Sequence, residues 1–219
     1  MAIKIALLVC DDYGPEIGAK FGGYSETFKR FFPSKVHITP FDVRKGIFPS
    51  LDIHFDGFLI SGSKSSANDD IEWINNLKQF IKILIQRKAN LVGICFGHQV
   101  ICSTLGAPVR RCELEAGHTV LNCTHAGTEY FKREKIILNS SHGETVESCP
   151  DGFDVLATSK TGIQIIKSDS VLGIQAHPEF DEDLMQCIID CRYDPAKHVV
   201  RNNTDSDILK KEIIKHFRQ

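Results

Sequence analysis

Three apolar runs, separated by helical patterns, constrain the fold of this chain more than any other feature of its sequence. The runs are IKIALLV (residues 3–9), HFDGFLISGS (54–63) and LVGIC (91–95). Near-continuous apolar strands are typical of parallel sheets, whose strands are covered on both faces. Segment 69–89, between the second and third runs, repeats its apolar residues at helical spacing. The order strand, helix, strand therefore predicts an α/β fold with parallel strands.

The pattern changes between about residue 107 and residue 176, where short apolar runs alternate with Gly, Asp and Ser. Such runs, for example KIILNSS and GIQIIKS, are typical of antiparallel or mixed strands. Helical patterns follow at 181–192 and 205–217. We therefore predict a three-layer α/β sandwich with a mainly parallel central sheet and a small antiparallel sheet, in one domain spanning residues 1–219.

Charge and cysteine content narrow the partners and the compartment. The formal net charge of −2 over 219 residues predicts neither nucleic acid nor membrane as a partner. The first apolar run stops at Asp11 and lacks the flanks of a signal peptide. Eight scattered cysteines are then best interpreted as reduced thiols, which predicts a cytoplasmic location.

The third apolar run ends in Gly93-Ile94-Cys95-Phe96-Gly97. One interpretation is a buried strand that ends in a glycine turn. The other is a nucleophile on a tight strand-to-helix turn, for which both flanking residues must be small. In that case Cys95 lies at a helix N-terminus, where the dipole stabilises a thiolate. The amide of Phe96 is then well placed to bind an oxyanion.

A base for this nucleophile is available at the end of another apolar strand, in VLGIQAHPE. Residues i and i+2 of an extended segment point the same way, so the side chains of His177 and Glu179 can touch. A carboxylate beside an imidazole fixes its tautomer and stabilises its charged form. His98 has no adjacent carboxylate and is expected to be structural, and His142 is expected to shape the pocket.

The motifs GICFGHQ and AHPE together resemble the class I glutamine amidotransferase family. FGGYSETF and DGFLISGSKSSANDDIEWI are most similar to the stand-alone γ-glutamyl peptidases of plants. The resemblance implies a flavodoxin-like fold and a Cys95–His177–Glu179 triad, in which Cys95 attacks the γ-glutamyl carbonyl. It also implies an oxyanion hole at the amides of Gly62 and Phe96. The glutamyl group would be held by four residues, namely Gln99, Ser141, His142 and Gly143.

The resemblance leads us to expect a hydrolase that acts on small γ-glutamyl peptides, such as glutathione or its conjugates, without a cofactor or a metal. The alternative is a glutaminase subunit that supplies ammonia to a separate synthetase of the GMP synthase type. Many amidotransferases carry Gly-Pro-Gly where this chain has Ser61-Gly62-Ser63, and this rebuilt loop makes coupling to a synthetase less certain. A catalytically inactive binding protein is disfavoured because all three triad residues are present.

Overall fold

The structure is a computed structural model, and it describes residues 2–201 and 203–219. Its strands are β1 (Ile3–Val9), β2 (Val36–Asp42), β3 (Gly57–Ile60), β4 (Leu91–Ile94), β5 (Val109–Cys123), β6 (Lys135–Val146), β7 (Asp154–Ser159), β8 (Gly162–Lys167) and β9 (Val171–Ile174). Its α-helices are α1 (Pro15–Phe21), α2 (Tyr24–Phe31), α3 (Glu72–Gln86), α4 (Phe96–Thr104), α5 (His125–Phe131), α6 (Glu182–Arg192) and α7 (Ser206–His216). Two short 3₁₀ turns lie at Val43–Lys45 and Pro195–Lys197.

The strands form one continuous sheet in the order β2-β1-β3-β4-β9-β8-β6-β5-β7. From β2 to β9 all neighbours are parallel, and from β9 to β7 all neighbours are antiparallel. β7 also pairs with β8, so strands β6, β5, β7 and β8 close into a four-stranded antiparallel ring. The fold thus joins a parallel half and a ring half through β9.

The prediction of a mainly parallel, flavodoxin-like sheet with a separate small antiparallel sheet is wrong. Among the described strands, antiparallel pairings outnumber parallel ones by five to four, and the two arrangements belong to one sheet. The physical reason is the length of β5 and β6, with 15 and 12 residues, which pair with each other along most of their length. Charged residues at exposed positions hide β5 in the sequence (RRCELEAG).

Helices bury both faces of the parallel half. One core packs α3 and α4 against the sheet, with Ile74, Leu77 and Ile81 fully buried. The other core packs α2, α6 and α7 on the opposite face and contains Phe28 and Leu184. The clear helical pattern of 69–89 becomes the 15-residue α3. Among the described residues, no helix has the length and apolar character that crossing a membrane would need.

Candidate active site

The turn between β4 and α4 raises Cys95 out of the sheet. Cys95 is the N-cap of α4 and has φ 52°, a left-handed backbone conformation that side chains rarely adopt. A Cβ on Gly93 would lie 2.5 Å from the carbonyl of Gly97, and a Cβ on Gly97 would collide with the carbonyl oxygen of Ile60. Both flanking glycines are therefore required for the close approach of helix and strand. Of the two interpretations of this motif, the geometry matches the strand-to-helix turn.

His177 faces Cys95 from the loop after β9 and is almost completely buried. Its Nδ1–H donates to Glu179 Oε1 at 2.8 Å, and its ring stacks on Phe180 with the centroids 3.9 Å apart. Its backbone amide donates to the carbonyl of Asn139. Burial lowers the pKa of His177, but Glu179 and Cys95 outweigh this and raise it to about 10. The surroundings therefore favour the imidazolium beside the sulfur.

Two backbone amides next to the sulfur have the position that an oxyanion hole needs. Among the described residues, neither the Gly62 amide nor the Phe96 amide donates to a backbone carbonyl or a side chain. A Cβ on Gly62 would lie 2.9 Å from His177 Cε1, 3.0 Å from the Tyr24 hydroxyl and 3.7 Å from Cys95 Cβ. The close approach of Gly62 therefore leaves no space for a side chain there.

Tyr24 owes its position to the preceding glycines. Gly22 has φ 75°, and a Cβ there would lie 2.8 Å from Glu26 Cγ. Glu26 accepts from the Gly23 amide at 3.0 Å and caps α2. Burial, followed by Tyr13, Glu179 and Cys95, raises the pKa of Tyr24 well above its usual value. The Tyr24 hydroxyl therefore keeps its proton and serves as a donor at the site.

A cavity of about 640 Å³ opens in front of the sulfur. The structure brings six of the predicted site residues into its wall, namely Cys95, Gln99, Ser141, His142, Gly143 and His177. The carbonyl oxygen of Ser141 lies 3.9 Å from Cys95 Sγ, and the Ser141 hydroxyl bonds the Tyr193 hydroxyl at 2.8 Å. Tyr193 and Glu144 also line the cavity, and the sequence analysis did not single out either residue.

Gln99 is almost fully buried, and its Nε2 has two acceptors. It donates to the carbonyl of Glu144 at 2.9 Å and to Gln175 Oε1 at 3.0 Å. Gln175 Nε2 in turn lies 3.6 Å from Cys95 Sγ. The sequence analysis missed Gln175, although a glutamine inside the apolar strand end VLGIQAH was a visible signal.

His142 belongs to a second polar cluster behind the cavity wall. Its Nδ1 donates to the carbonyl of Glu144 at 3.0 Å, and its Nε2 lies 3.1 Å from Glu115 Oε2. Burial raises the pKa of Glu115, but hydrogen bonds from His142, Ser159 and Thr161 more than offset this and lower it. The sequence analysis also missed Glu115, because its partners come from distant strands and loops.

His98 lies beneath the site rather than in it. It is completely buried, its Nδ1 is 3.8 Å from Cys102 Sγ, and a Cβ on Gly173 would collide with its ring. Burial, with a smaller contribution from His142, lowers the pKa of His98 to about 3. A neutral, enclosed imidazole fits the structural role expected for it. Among residues 2–201 and 203–219, no cluster of His, Cys, Asp and Glu could hold a metal ion.

Comparison with known proteins places this geometry in a family. The profile of the family described as glutamine amidotransferase class-I matches residues 29–188. γ-Glutamyl peptidase 4 of Arabidopsis thaliana is 33% identical over 83% of this chain and 77% of its own length. A subunit of the glutamine-hydrolysing GMP synthase of Saccharolobus solfataricus is 37% identical over 57% of this chain and 68% of its own length.

A solved structure supports the fold independently of close sequence similarity. A glutamine amidotransferase from Thermotoga maritima superimposes with a TM-score of 0.72 at 18% identity, covering 100% of this chain and 96% of that one. The profile match spans well over half of the sequence and includes Cys95, His177 and Glu179. The resemblance inferred from the motifs is confirmed, and this chain belongs to the class I glutamine amidotransferase family.

Proposed function

We propose that this protein hydrolyses the γ-glutamyl amide bond of small γ-glutamyl peptides, such as glutathione or its conjugates, through a thioester on Cys95. The observation that carries the proposal is the juxtaposition of Cys95, at the N-terminus of α4, with the buried His177–Glu179 pair in a wide cavity. A nucleophile, a base and a group that orients the base form the constellation that covalent acyl transfer requires.

In this mechanism the Cys95 thiolate attacks the δ-carbonyl carbon of the γ-glutamyl group and a C–S bond forms. The carbonyl oxygen takes the negative charge and is held by the amides of Gly62 and Phe96. The imidazolium of His177 then gives its proton to the leaving nitrogen, and the C–N bond breaks. Water attacks the thioester with His177 as base, the C–S bond breaks, and glutamate and the thiolate are restored. Glu179 keeps the imidazole oriented and stabilises its charge throughout.

The cavity wall supplies groups that could hold the substrate. Both protons of the Gln99 amide are used within the protein, which leaves Gln99 Oε1 as an acceptor for the α-ammonium of the γ-glutamyl group. The backbone of Ser141, His142 and Gly143 borders the same space. A cavity of about 640 Å³ is within the range of pockets that enclose ligands larger than a single amino acid. This volume favours a γ-glutamyl peptide over free glutamine.

The reaction as proposed needs no cofactor or metal, because nucleophile, base and oxyanion amides all come from this chain. The eight cysteines are free, which supports a reducing compartment such as the cytoplasm. The similarity to a component of GMP synthase keeps a second candidate, a glutaminase that supplies ammonia to a separate synthetase.

Kinetics on the isolated protein distinguish the two candidates. We expect kcat/KM for glutathione and other γ-glutamyl peptides to exceed that for glutamine, because ammonia as leaving group cannot fill the outer cavity. EDTA should have no effect. Cys95→Ala should remove the activity, and Cys112→Ala is the matched control. Preference for glutamine, with activity that rises sharply when cell extract is added, would establish the glutaminase subunit instead.

A further inference from the structure

Two buried side-chain amides connect the cavity rim to the nucleophilic sulfur. Gln99 on α4 is almost fully buried, and Gln175, just after β9, is completely buried. Their hydrogen bonds run from the carbonyl of Glu144, through Gln99 Nε2 and Gln175 Oε1, to Gln175 Nε2 and Cys95 Sγ. The Gln175 backbone amide is bonded to the carbonyl of Gln164 at 2.8 Å, so this residue is held at both ends.

The orientation of both amides follows from one fixed group. A backbone carbonyl is only an acceptor, so the Gln99 atom that faces the carbonyl of Glu144 must be the NH₂ group. That same NH₂ group faces Gln175, which must therefore present its oxygen to Gln99. The NH₂ group of Gln175 is left on the sulfur side, 3.6 Å from Cys95 Sγ. A flip of either amide would set two donors or two acceptors against each other.

We propose that Gln175 is a catalytic residue that donates a hydrogen bond to the Cys95 thiolate, and that Gln99 is a positioning residue that fixes this donor. The inference rests on the proposed role of Cys95 as nucleophile. Hydrogen bonds to charged groups are stronger than those between neutral groups, and burial strengthens them further. The Gln175 donor complements the imidazolium of His177, which faces the sulfur and whose carboxylate partner is Glu179.

The donor also holds the sulfur in place. The chain of bonds ends at the carbonyl of Glu144, whose carboxylate accepts from the Ser66 hydroxyl at 2.8 and 3.0 Å. Ser66 and Glu144 both line the cavity. The position of the nucleophile is thereby referenced to the wall against which the substrate binds. Positioning errors of about 1 Å can lower a reaction rate by about 100-fold, so such a reference has functional value.

The test is site-specific alkylation of Cys95 by iodoacetamide as a function of pH, with the modified cysteine identified by mass spectrometry. Gln175→Leu removes the donor and keeps similar bulk, and Gln175→Glu replaces the donor by a carboxylate. The other titratable side chains that face the sulfur, His177 and Tyr24, are unchanged in both variants. We expect the pH of half-maximal alkylation to rise in both variants, and further in Gln175→Glu because like charges repel.

Kinetics should follow the same order. In Gln175→Leu we expect kcat/KM for a γ-glutamyl peptide to fall about 10- to 100-fold, mainly through kcat. Gln99→Leu should shift the alkylation profile in the same direction by less, because it only frees the Gln175 amide to rotate. Gln164→Leu removes a neighbouring buried amide that does not contact Cys95, and it should leave the alkylation profile unchanged.

The outcomes separate this inference from the proposed function. If Cys95 of the unaltered protein is not alkylated faster than the other cysteines, the proposed nucleophile itself is wrong. If Cys95 is alkylated rapidly and folded Gln175→Leu has the same pH profile and the same kcat, the role of Gln175 is refuted. An equal shift in Gln164→Leu would also refute it, since the effect would then come from a general loosening of the fold. Thermal unfolding of each variant verifies that it is folded.

Discussion

The protein contains two groupings of a cysteine, a histidine and a glutamate, and only one of them can act as a nucleophilic site. In the first, His177 uses Nδ1 for Glu179 at 2.8 Å and turns its other edge to Cys95. In the second, Cys112 Sγ lies 4.0 Å from His142 Nδ1. That nitrogen already faces the carbonyl of Glu144 at 3.0 Å, and Nε2 lies 3.1 Å from Glu115. Neither ring nitrogen of His142 is free to take a proton from a thiol.

The backbone around the two cysteines differs as well. Cys95 caps α4, where free amides and the helix dipole favour negative charge. Cys112 lies within β5, and burial, followed by Glu115, raises the pKa of its thiol. The comparison teaches that the three residue types do not define the chemistry. A free ring nitrogen and a helix N-terminus at the sulfur do.

Replacing the first cysteine gives the largest expected effect. Cys95→Ala should lower kcat/KM for a γ-glutamyl peptide by at least about 10⁴-fold, because the thioester can no longer form. A small side chain at the tight turn contributes little packing, so the midpoint of thermal unfolding should change little. Hydrolysis assays and circular dichroism melts on the same preparation check both expectations. Loss of the folded state together with activity would make Cys95 a structural residue.

The next effect in size separates the two glutamates by activity. Glu179→Gln should lower kcat by about 100-fold, because an amide can orient His177 but cannot stabilise its charge. The measurement is kcat at saturating substrate, with the circular dichroism spectrum as the check on folding. If kcat is unchanged, Glu179 does not support the base.

The matching change in the second grouping should act on stability instead. Glu115 Oε2 accepts from Ser159, Thr161 and Gln164 and faces His142. Glu115→Gln places an amide among these donors and leaves buried groups unpaired, which should lower the free energy of unfolding by about 3 kcal/mol. Urea unfolding measures this loss, and kcat should fall by less than in Glu179→Gln. A larger loss of kcat than of stability would give the second grouping a catalytic role.

The pH dependence of stability offers a smaller effect. Burial lowers the pKa of His177, but Glu179 and Cys95 raise it overall from 6.5 to about 10. The native state therefore holds this proton more tightly than the unfolded state does. The resulting stabilisation is fully present below about pH 6.5 and is lost as pH rises towards about pH 10. The difference in free energy of unfolding between the unaltered protein and His177→Gln should therefore shrink over this window, and a constant difference would contradict the ion pair.

The sequence predicts one of these two groupings and cannot predict the other. Cys95 is marked by flanking glycines, and His177 and Glu179 are neighbours in an extended segment, so local rules suffice. The chain places Cys112, Glu115 and His142 on two strands of the ring, and only the pairing of β5 with β6 brings them together. The same pairing overturned the predicted sheet. Gln175 is a single polar residue in an apolar run, and its contact with Cys95 across 80 residues is not readable from spacing.

The smallest expected effect belongs to Cys112, and it makes the comparison sharp because the substitution is the same as at Cys95. Cys112 does not line the cavity, and its sulfur has no free base. Cys112→Ala should keep kcat/KM within about twofold and change the free energy of unfolding by less than about 1 kcal/mol, since it removes only a half-buried thiol. In the unaltered protein, iodoacetamide at neutral pH should modify Cys95 well before Cys112, because only the thiolate reacts. Equal rates of modification at the two sulfurs would mean that neither the helix N-terminus nor the free edge of His177 distinguishes them, and the proposed nucleophile would lose its physical basis.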